Sequence, residues 1–304
     1  RLLEEDSEAL RSSYLALVYD LGETKINKKR VIDILEICPG FSYWWMSLLV
    51  EKCNYAKSPQ INNIIKLMAF KHWFNNKRYN HIRLVSSNVQ LAKAMQLLCT
   101  ELSVSFKWDQ LENKIDKISF TRQIYNRLPY TLRPILWLVR YLFFRWPLKG
   151  VGLDEWRKTP SKTTFVSYLF NLVPNAIEKG EFESRYWTLL PNMLKHNTTN
   201  WLHLYVRSSE LPDARTARDI IKKFNKTYKG VQVHTTLDSF LSIERIYVVL
   251  KYYYKLIRKQ KFLQSLLEIT AGIYWPLLEK DCKDSMSGNI AMDNLLCLSL
   301  FESA

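Results

Sequence analysis

Three short segments hold the residues whose types and spacing could bind a substrate. The first runs from Ser42 through Trp44 and Trp45 to Glu51 and Lys52. A serine at a helix N-terminus leaves backbone N–H groups for an anion, and adjacent indoles have faces that stack on sugar rings. The same pattern is typical of a packed aromatic helix, which the frequency of aromatic residues in cores favours. We therefore carry Ser42, Trp44, Trp45 and Lys52 as substrate-binding candidates beside that alternative.

The second and third segments lie further along the chain. Glu183, Arg185 and Trp187 fall between a predicted strand and a predicted helix, and parallel α/β sheets bind ligands in loops at the carboxyl ends of their strands. Arg185 has the geometry to pair with a phosphate or carboxylate, although a surface arginine is common at a helix start. In residues 200–205, alternation places His203 beside aromatic neighbours, which favours a core histidine over a base. Arg185, Trp187 and His203 complete the predicted substrate contacts.

Sequence motifs that would announce a nucleotide or metal site are missing. There is no GxxxxGK[ST] loop, no GxSxG elbow, no kinase signature and no DxD pair. The five cysteines and five histidines lack metal-ligand spacing, which predicts no metal site and a reducing compartment. We therefore expect no cofactor or nucleotide site in this chain.

The charge balance predicts an anionic partner. The chain carries 44 Lys and Arg against 29 Asp and Glu, a formal net charge of +15. Such a field favours nucleic acid, anionic lipid headgroups or phosphorylated substrates. Dense basic runs occur only at residues 28–30 and 258–261, and this dispersion argues against a nucleic-acid interface.

The elements that position these residues alternate between strand and helix. The first strand–helix–strand unit is predicted at residues 81–86, 91–102 and 104–108, and the second series at 163–170, 184–196, 200–206, 213–228 and 231–234. Residues 14–19 also read as a strand, whereas 41–53 and 238–258 read as helices. Asp213 and Asp238 are the predicted N-caps of the helices at 213–228 and 238–258. This alternation predicts a doubly wound, mainly parallel, Rossmann-like α/β sheet with extra helices.

The predicted organisation has a first α/β block at residues 1–126 and a second at 150–304, as one large domain of a longer protein. Residues 127–149 form an aromatic helix between them, too short and too interrupted by arginine to span a bilayer. Its apolar character fits burial and interfacial insertion equally well. The expected headgroup contacts are Arg133, Trp137, Arg140, Arg145 and Trp146.

Residues 39–52, 57–59, 184–191 and 200–205 carry a family resemblance. They resemble segments of the large surface carbohydrate biosynthesis proteins of bacterial O-antigen and capsule loci, and the similarity extends over about residues 14–304. It implies that the chain is the N-terminal, acceptor-side portion of a GT-B-like glycosyltransferase. The nucleotide-sugar domain would follow outside this chain, which would account for the absence of a phosphate-binding loop.

The resemblance also implies a chemistry. A nucleotide-sugar donor would transfer its sugar to a lipid-linked or polysaccharide acceptor, in the cytoplasm at the inner face of the inner membrane. An inverting transfer needs a base for the acceptor hydroxyl, and the candidates are Asp20, Glu51 and Glu183. Two alternatives stay open: a basic nucleic-acid-binding protein and a non-catalytic, membrane-associated scaffold.

Overall fold

The computed structural model describes residues 2–50, 58, 60–75, 79–112, 125–194 and 196–304. The chain divides into two compact units. The first comprises residues 1–134 and 252–292, and the second comprises 135–251 and 293–304. Each unit combines distant parts of the sequence, whereas the two predicted blocks are contiguous.

Helices account for most of the described residues. In chain order they are α1 Leu2–Glu5, α2 Ser7–Glu23, α3 Val31–Ile34, α4 Gln60–Asn75, α5 Val89–Glu101, α6 Arg133–Arg145, α7 Leu153–Lys158, α8 Pro174–Lys179, α9 Leu190–Met193, α10 Ala214–Tyr228, α11 Ile243–Ala271, α12 Trp275–Ser287 and α13 Asn289–Phe301. Short 3₁₀ turns occupy Tyr43–Met46, Trp146–Leu148, Leu237–Phe240 and Gly272–Tyr274. None of these helices is long and apolar enough, over the described residues, to cross a bilayer.

In the part of the chain that the structure describes, the strands form four small sheets. They are β1 Lys25–Ile26, β2 Lys29–Arg30, β3 Glu36–Cys38, β4 Phe41–Ser42, β5 His81–Ser86, β6 Ser105–Gln110, β7 Thr164–Leu169, β8 Thr199–Tyr205 and β9 Gln232–Thr236. The β1–β2 and β3–β4 pairs are antiparallel, and the β5–β6 pair and the β7–β8–β9 sheet are parallel.

The predicted strand–helix–strand unit of the first unit is confirmed. β5 pairs with β6 in parallel, from His81 opposite Ser105 to Ser86 opposite Gln110. The intervening α5 starts at an Asn88 cap, whose side chain accepts the backbone N–H of Leu91 at 3.0 Å. The buried side chains of α5 are small or apolar and lie on one face of the helix: Ala92, Ala94, Met95, Leu98 and Cys99.

The second unit is built on the β7–β8–β9 sheet. β8 is its central strand and is buried along nearly its whole length, as a strand covered on both faces should be. α10 packs against β9 and is capped by Asp213, which accepts the backbone N–H of Thr216 at 2.8 Å. The core combines large aromatic side chains with aliphatic ones, among them Phe182, Trp201 and Phe224. The α/β prediction and the parallel pairing are therefore confirmed, with strand order following the chain in this sheet.

Two predicted elements near the N-terminus are wrong. Residues 14–19 belong to α2, because the buried positions Tyr14, Val18 and Leu21 recur every three to four residues rather than every second one. The predicted helix at 41–53 is replaced by β4 and a 3₁₀ turn at Tyr43–Met46 over its described part. Ser42 does cap that turn, since its Oγ accepts the backbone N–H of Trp44 at 3.3 Å.

Two predicted helices of the second unit also need correction. Among the described residues of 184–196 only α9 is an α-helix, because Thr188 adopts φ +50°, which an α-helix excludes. Asp238 is not the N-cap of the long helix but lies in the 3₁₀ turn after β9. Ser242 takes the capping role, and its Oγ accepts the backbone N–H of Arg245 at 3.1 Å.

Candidate functional site

The carboxyl edge of the β7–β8–β9 sheet gathers the ionic and aromatic side chains of the second unit. The three strands are parallel and end at Leu169, Tyr205 and Thr236, so the segments that follow them emerge at one edge. Parallel α/β sheets bind ligands at this edge because the loops there are not constrained by strand pairing.

A buried ionic cluster lies at the end of β9. Asp238 is almost fully buried; its Oδ2 accepts Arg145 Nη1 at 3.0 Å and its Oδ1 accepts the Tyr141 hydroxyl at 2.5 Å. Arg145 Nη1 also donates to the Tyr205 carbonyl at 2.9 Å, and its guanidinium lies 4.4 Å from the Tyr205 ring centroid. These bonds tie the C-terminal end of α6 to the ends of β8 and β9.

The cluster shifts the pKa values of its members. Burial raises the pKa of the Asp238 carboxyl, and the Arg145 charge and the Tyr141 hydroxyl oppose that rise. The pKa of the Tyr141 hydroxyl is raised well above its usual value, first by burial and then by the Asp238 charge. Since the Asp238 oxygens are occupied by protein donors, the cluster supports the edge and does not offer a free base.

The segment after β7 is held at the same edge by backbone bonds. Leu172 and Ser184 form an isolated antiparallel bridge, and the Arg185 N–H donates to the Asn171 carbonyl at 2.9 Å. The Arg185 side chain is exposed. It contributes to the lowered pKa of Glu210, which arises first from the Glu210 backbone and the Ser209 hydroxyl. The charge of Arg185 in the loop after β7 therefore acts on Glu210 in the loop after β8.

A groove of about 740 Å³ opens between the end of α6 and the start of α10. We call it the edge groove, and it is lined by Leu142, Phe143, Phe144, Trp146, Pro147, Asp213, Ala214, Arg215 and Arg218. The Arg215 side chain is exposed, and Arg218 Nε donates to Asp219 at 2.8 Å. The carboxylate of Asp213 accepts the backbone N–H of Thr216 at the start of α10, and this hydrogen bond lowers the pKa of Asp213. An apolar, aromatic wall therefore faces cationic groups at a helix N-terminus.

This arrangement suits binding more than proton transfer. Arginine pairs with phosphate or carboxylate oxygens, and exposed aromatic rings pack on the apolar faces of sugars or on lipid chains. No three His, Cys, Asp or Glu side chains in the described part of the chain come together as metal ligands. The chemistry that the groove can perform is recognition of an amphipathic anion.

The structure places several predicted substrate contacts away from solvent. Trp44 is buried, with its indole against Gly22, and the Ser42 hydroxyl is occupied by the Ile32 carbonyl at 2.6 Å. Neither group can therefore contact a sugar, which corrects both predictions. Trp45 remains exposed. Lys52 lies outside the described residues.

His203 is also inaccessible. It is fully buried and its Nε2 lies 3.0 Å from Nδ1 of His234, on the neighbouring strand. Burial lowers its pKa to about 3. This overturns its assignment as a substrate contact and agrees with the core-histidine alternative. Trp187 is half-buried and donates its indole N–H to Ser167, so of the predicted contacts in this unit only Arg185 is exposed at the edge.

The structure describes two of the three candidate bases, and these two belong to different units. Asp20 is exposed on α2 in the first unit, and Glu51 lies outside the described residues. Glu183 belongs to the second unit, where its Oε1 accepts the Asn192 side-chain amide at 3.0 Å. Among these, Glu183 is the candidate next to the sheet edge, one residue from the Leu172–Ser184 bridge.

The predicted membrane contacts separate into outward and inward groups. Arg140 and Trp146 are exposed, whereas Trp137 is half-buried against Tyr141 with ring centroids 5.2 Å apart. Arg133 donates to the backbone carbonyls of Asn126 and Leu128. Arg145 points into the unit toward Asp238, so its charge is not available to a bilayer, and that part of the prediction is corrected.

Sequence reasoning missed Arg215, Arg218, Phe143 and Phe144. A usable signal was present, because Asp213 was recognised as the cap of a helix that follows a parallel strand. The rule that selected Arg185 would have selected Arg215 as well. The chain has no match among protein-family models, and neither the curated proteins nor the solved structures show significant similarity to it.

Proposed function

We propose that this chain is the acceptor-binding α/β portion of a glycosyltransferase of bacterial surface polysaccharide synthesis. The observation that carries the proposal is the edge groove, in which Phe143 and Trp146 face Arg215 at the carboxyl edge of a parallel sheet. A lipid-linked saccharide acceptor combines a phosphate, a sugar and an apolar chain. The groove offers a cation for the first and aromatic rings for the other two.

The finer fold assignment belongs to the same proposal. A doubly wound, Rossmann-like domain of the GT-B N-terminal type is supported by the parallel pairing of β5 with β6 and of β8 with both β7 and β9. In this proposal the nucleotide-sugar donor is bound by a further domain, and the chain works in the cytoplasm at the inner face of the inner membrane. The net charge of +15 supports a phosphorylated or membrane-borne acceptor.

The test measures acceptor binding with and without the phosphate. A short-chain prenyl-pyrophosphate saccharide should bind the 304-residue chain, and the same saccharide without pyrophosphate should bind far more weakly. Arg215→Gln removes a charge-assisted hydrogen bond and should weaken pyrophosphate binding about tenfold or more. Arg157→Gln is the control, since Arg157 is exposed on α7 in the same unit and lies outside the groove.

Equal binding by Arg215→Gln and the unchanged chain would remove the edge groove from the proposal. Binding that is indifferent to the pyrophosphate would remove the acceptor assignment. Tight binding of a free nucleotide sugar would contradict the placement of the donor site in another domain. Competition by single-stranded nucleic acid at equal affinity would favour the nucleic-acid alternative instead.

A further inference from the structure

One face of α6 is apolar and exposed. Ile135, Leu136, Val139, Phe143 and Phe144 project from it at helical spacing, and Trp146 of the following 3₁₀ turn extends it. Exposed fractions rise from 40% at Ile135 to 78% at Phe143. We call these six residues the α6 apolar face. A run of large exposed side chains of this kind is a recognised mark of an interaction surface.

The opposite side of α6 explains why the face is held outward. Leu138 is 3% exposed, and Tyr141 and Arg145 are bonded to Asp238 at the end of β9. These inward contacts fix the rotation of the helix about its axis. Buried contacts on the opposite side of α6 therefore hold the apolar face outward. Its six side chains stay 40–78% exposed to solvent in the described part of the chain.

The charges around the α6 apolar face are mainly positive. Residues 125–149 contain five Lys or Arg and no Asp or Glu, although Arg145 is paired with the buried Asp238. Arg140 lies over the Phe144 ring at 5.7 Å, and Lys149 lies over the Trp146 ring at 4.6 Å. Arg215 adds a cation across the edge groove, where the acidic Asp213 is engaged by the α10 cap. The surface is apolar at its centre and cationic at its margin.

That pattern is complementary to an anionic bilayer. Phenylalanine and aliphatic side chains insert below the headgroups, tryptophan lies at headgroup level, and arginine and lysine contact lipid phosphates. A protein partner would need a matching acidic surface with an apolar centre. An anionic phospholipid layer supplies both features over any area. The charge complementarity therefore favours the bilayer.

We propose that the chain docks on anionic phospholipid membranes through the α6 apolar face, with Arg140 and Lys149 at the headgroups. The docked orientation brings the edge groove, which shares Phe143, Phe144 and Trp146 with this face, to the membrane surface. This deepens the proposed function by naming how a membrane-borne acceptor reaches the groove. Docking itself requires no acceptor and no sugar transfer, so the two proposals fail separately.

Vesicle flotation tests the docking directly. The 304-residue chain is mixed with vesicles of phosphatidylcholine alone, or of phosphatidylcholine with phosphatidylglycerol, and the bound fraction is measured against lipid concentration. We expect binding to the anionic vesicles that weakens as salt is raised. Phe143→Ser should reduce the partition coefficient roughly tenfold, because a large buried aromatic side chain is lost from the interface.

Two matched controls distinguish binding through the α6 apolar face from nonspecific adsorption to lipid. Ile269→Ser removes a side chain that is 79% exposed on α11, against 78% for Phe143, and should leave binding unchanged. Arg140→Gln should weaken binding to anionic vesicles about fivefold, as expected for one cation near the surface, and Arg157→Gln should weaken it much less. Far-UV circular dichroism of each variant checks that the fold is retained.

A second measurement identifies the occupant of the face. Hydrogen exchange of residues 135–146 should slow on addition of anionic vesicles and should not change with protein concentration. Three results would overturn the proposal: no binding to anionic vesicles, equal losses in Phe143→Ser and Ile269→Ser, or a concentration-dependent dimer that Phe143→Ser dissociates in the absence of lipid. The last result would assign the face to a second copy of the chain.

Discussion

The buried histidine pair predicts a specific acid sensitivity of the second unit. His203 on β8 and His234 on β9 are fully buried, with nearly parallel rings whose centroids are 5.3 Å apart. Burial lowers the pKa of His203 to about 3 and lowers that of His234 well below its usual value, with His203 adding to the second shift. Their remaining ring nitrogens have no hydrogen-bond partner among the described residues. Both imidazoles are therefore neutral in the folded chain at pH 7.

The size of the effect follows from proton linkage. Below pH 6.5 the unfolded chain takes up a proton at each imidazole, whereas the folded chain does not until about pH 3 at His203. The contribution of the two neutral imidazoles to the free energy of unfolding is thus fully present above pH 6.5 and is lost as the pH falls. At pH 5 the loss from His203 is about 2 kcal/mol, at roughly 1.4 kcal/mol per pH unit, and His234 adds a further loss of the same sign.

The assay is urea denaturation, monitored by circular dichroism, at several pH values between 7.5 and 5. The double variant His203→Phe/His234→Phe replaces both partners by rings of similar shape, so the free energy of unfolding at pH 7.5 should change little. Between pH 7.5 and 5, however, the unchanged chain should lose at least about 2 kcal/mol more stability than the double variant. Each single variant should recover part of that difference.

Comparison between variants is needed because other buried groups titrate. Burial raises the pKa of Asp281 and Asp284, and these carboxyls stabilise the folded chain as the pH falls. Their contribution cancels when the double variant is compared with the unchanged chain. A double variant with the same pH dependence as the unchanged chain would refute the reasoning.

Three further substitutions test the second unit by urea denaturation at pH 7.5. Arg145→Met leaves Asp238 buried without its cation and should cost about 3–5 kcal/mol; a loss below about 1 kcal/mol would mean that water reaches the carboxylate. Asp213→Ala removes the α10 cap and should cost about 1 kcal/mol, whereas an unchanged midpoint would show that the cap contributes nothing. Gly152→Ala should cost more than about 1 kcal/mol, because φ is +72° and the new Cβ would lie 2.3 Å from the His234 carbonyl oxygen; a neutral result would require the β9 backbone to move freely.

The parallel strand–helix–strand units were predictable because each carries a strong local pattern. β5, α5 and β6 show alternating and helical spacing in turn, and Asn88 and Asp213 are favourable caps directly before apolar helix positions. α2 was misread because its apolar run at residues 14–19 is short, and a short run fits both periods. The sequence alone could not decide which period continued; the burial of Val18 and Leu21 does.

The misreading of Asp238 has a different cause. Aspartate is a favourable N-cap, and the residues after it are helical by pattern, so local sequence favours a helix start there. Tertiary contacts overrule this preference, because Arg145 and Tyr141 both bond to the Asp238 carboxylate. Both partners lie more than 90 residues before Asp238, so the sequence around Asp238 carries no pattern that indicates the pairing. A buried acid paired across such a distance is visible only in the fold.

The candidate site was predictable by position rather than by motif. Arg185 was selected because it follows a parallel strand, and the structure does place its exposed side chain at that edge. Ser42, Trp44 and His203 were selected by residue type, and all three are buried. Aromatic rings and histidines serve cores as readily as sites, so their type alone carries little information. Applied to the end of β8, the positional rule also selects Arg215, and the α6 anchor then accounts for the aromatic rings that face it across the edge groove.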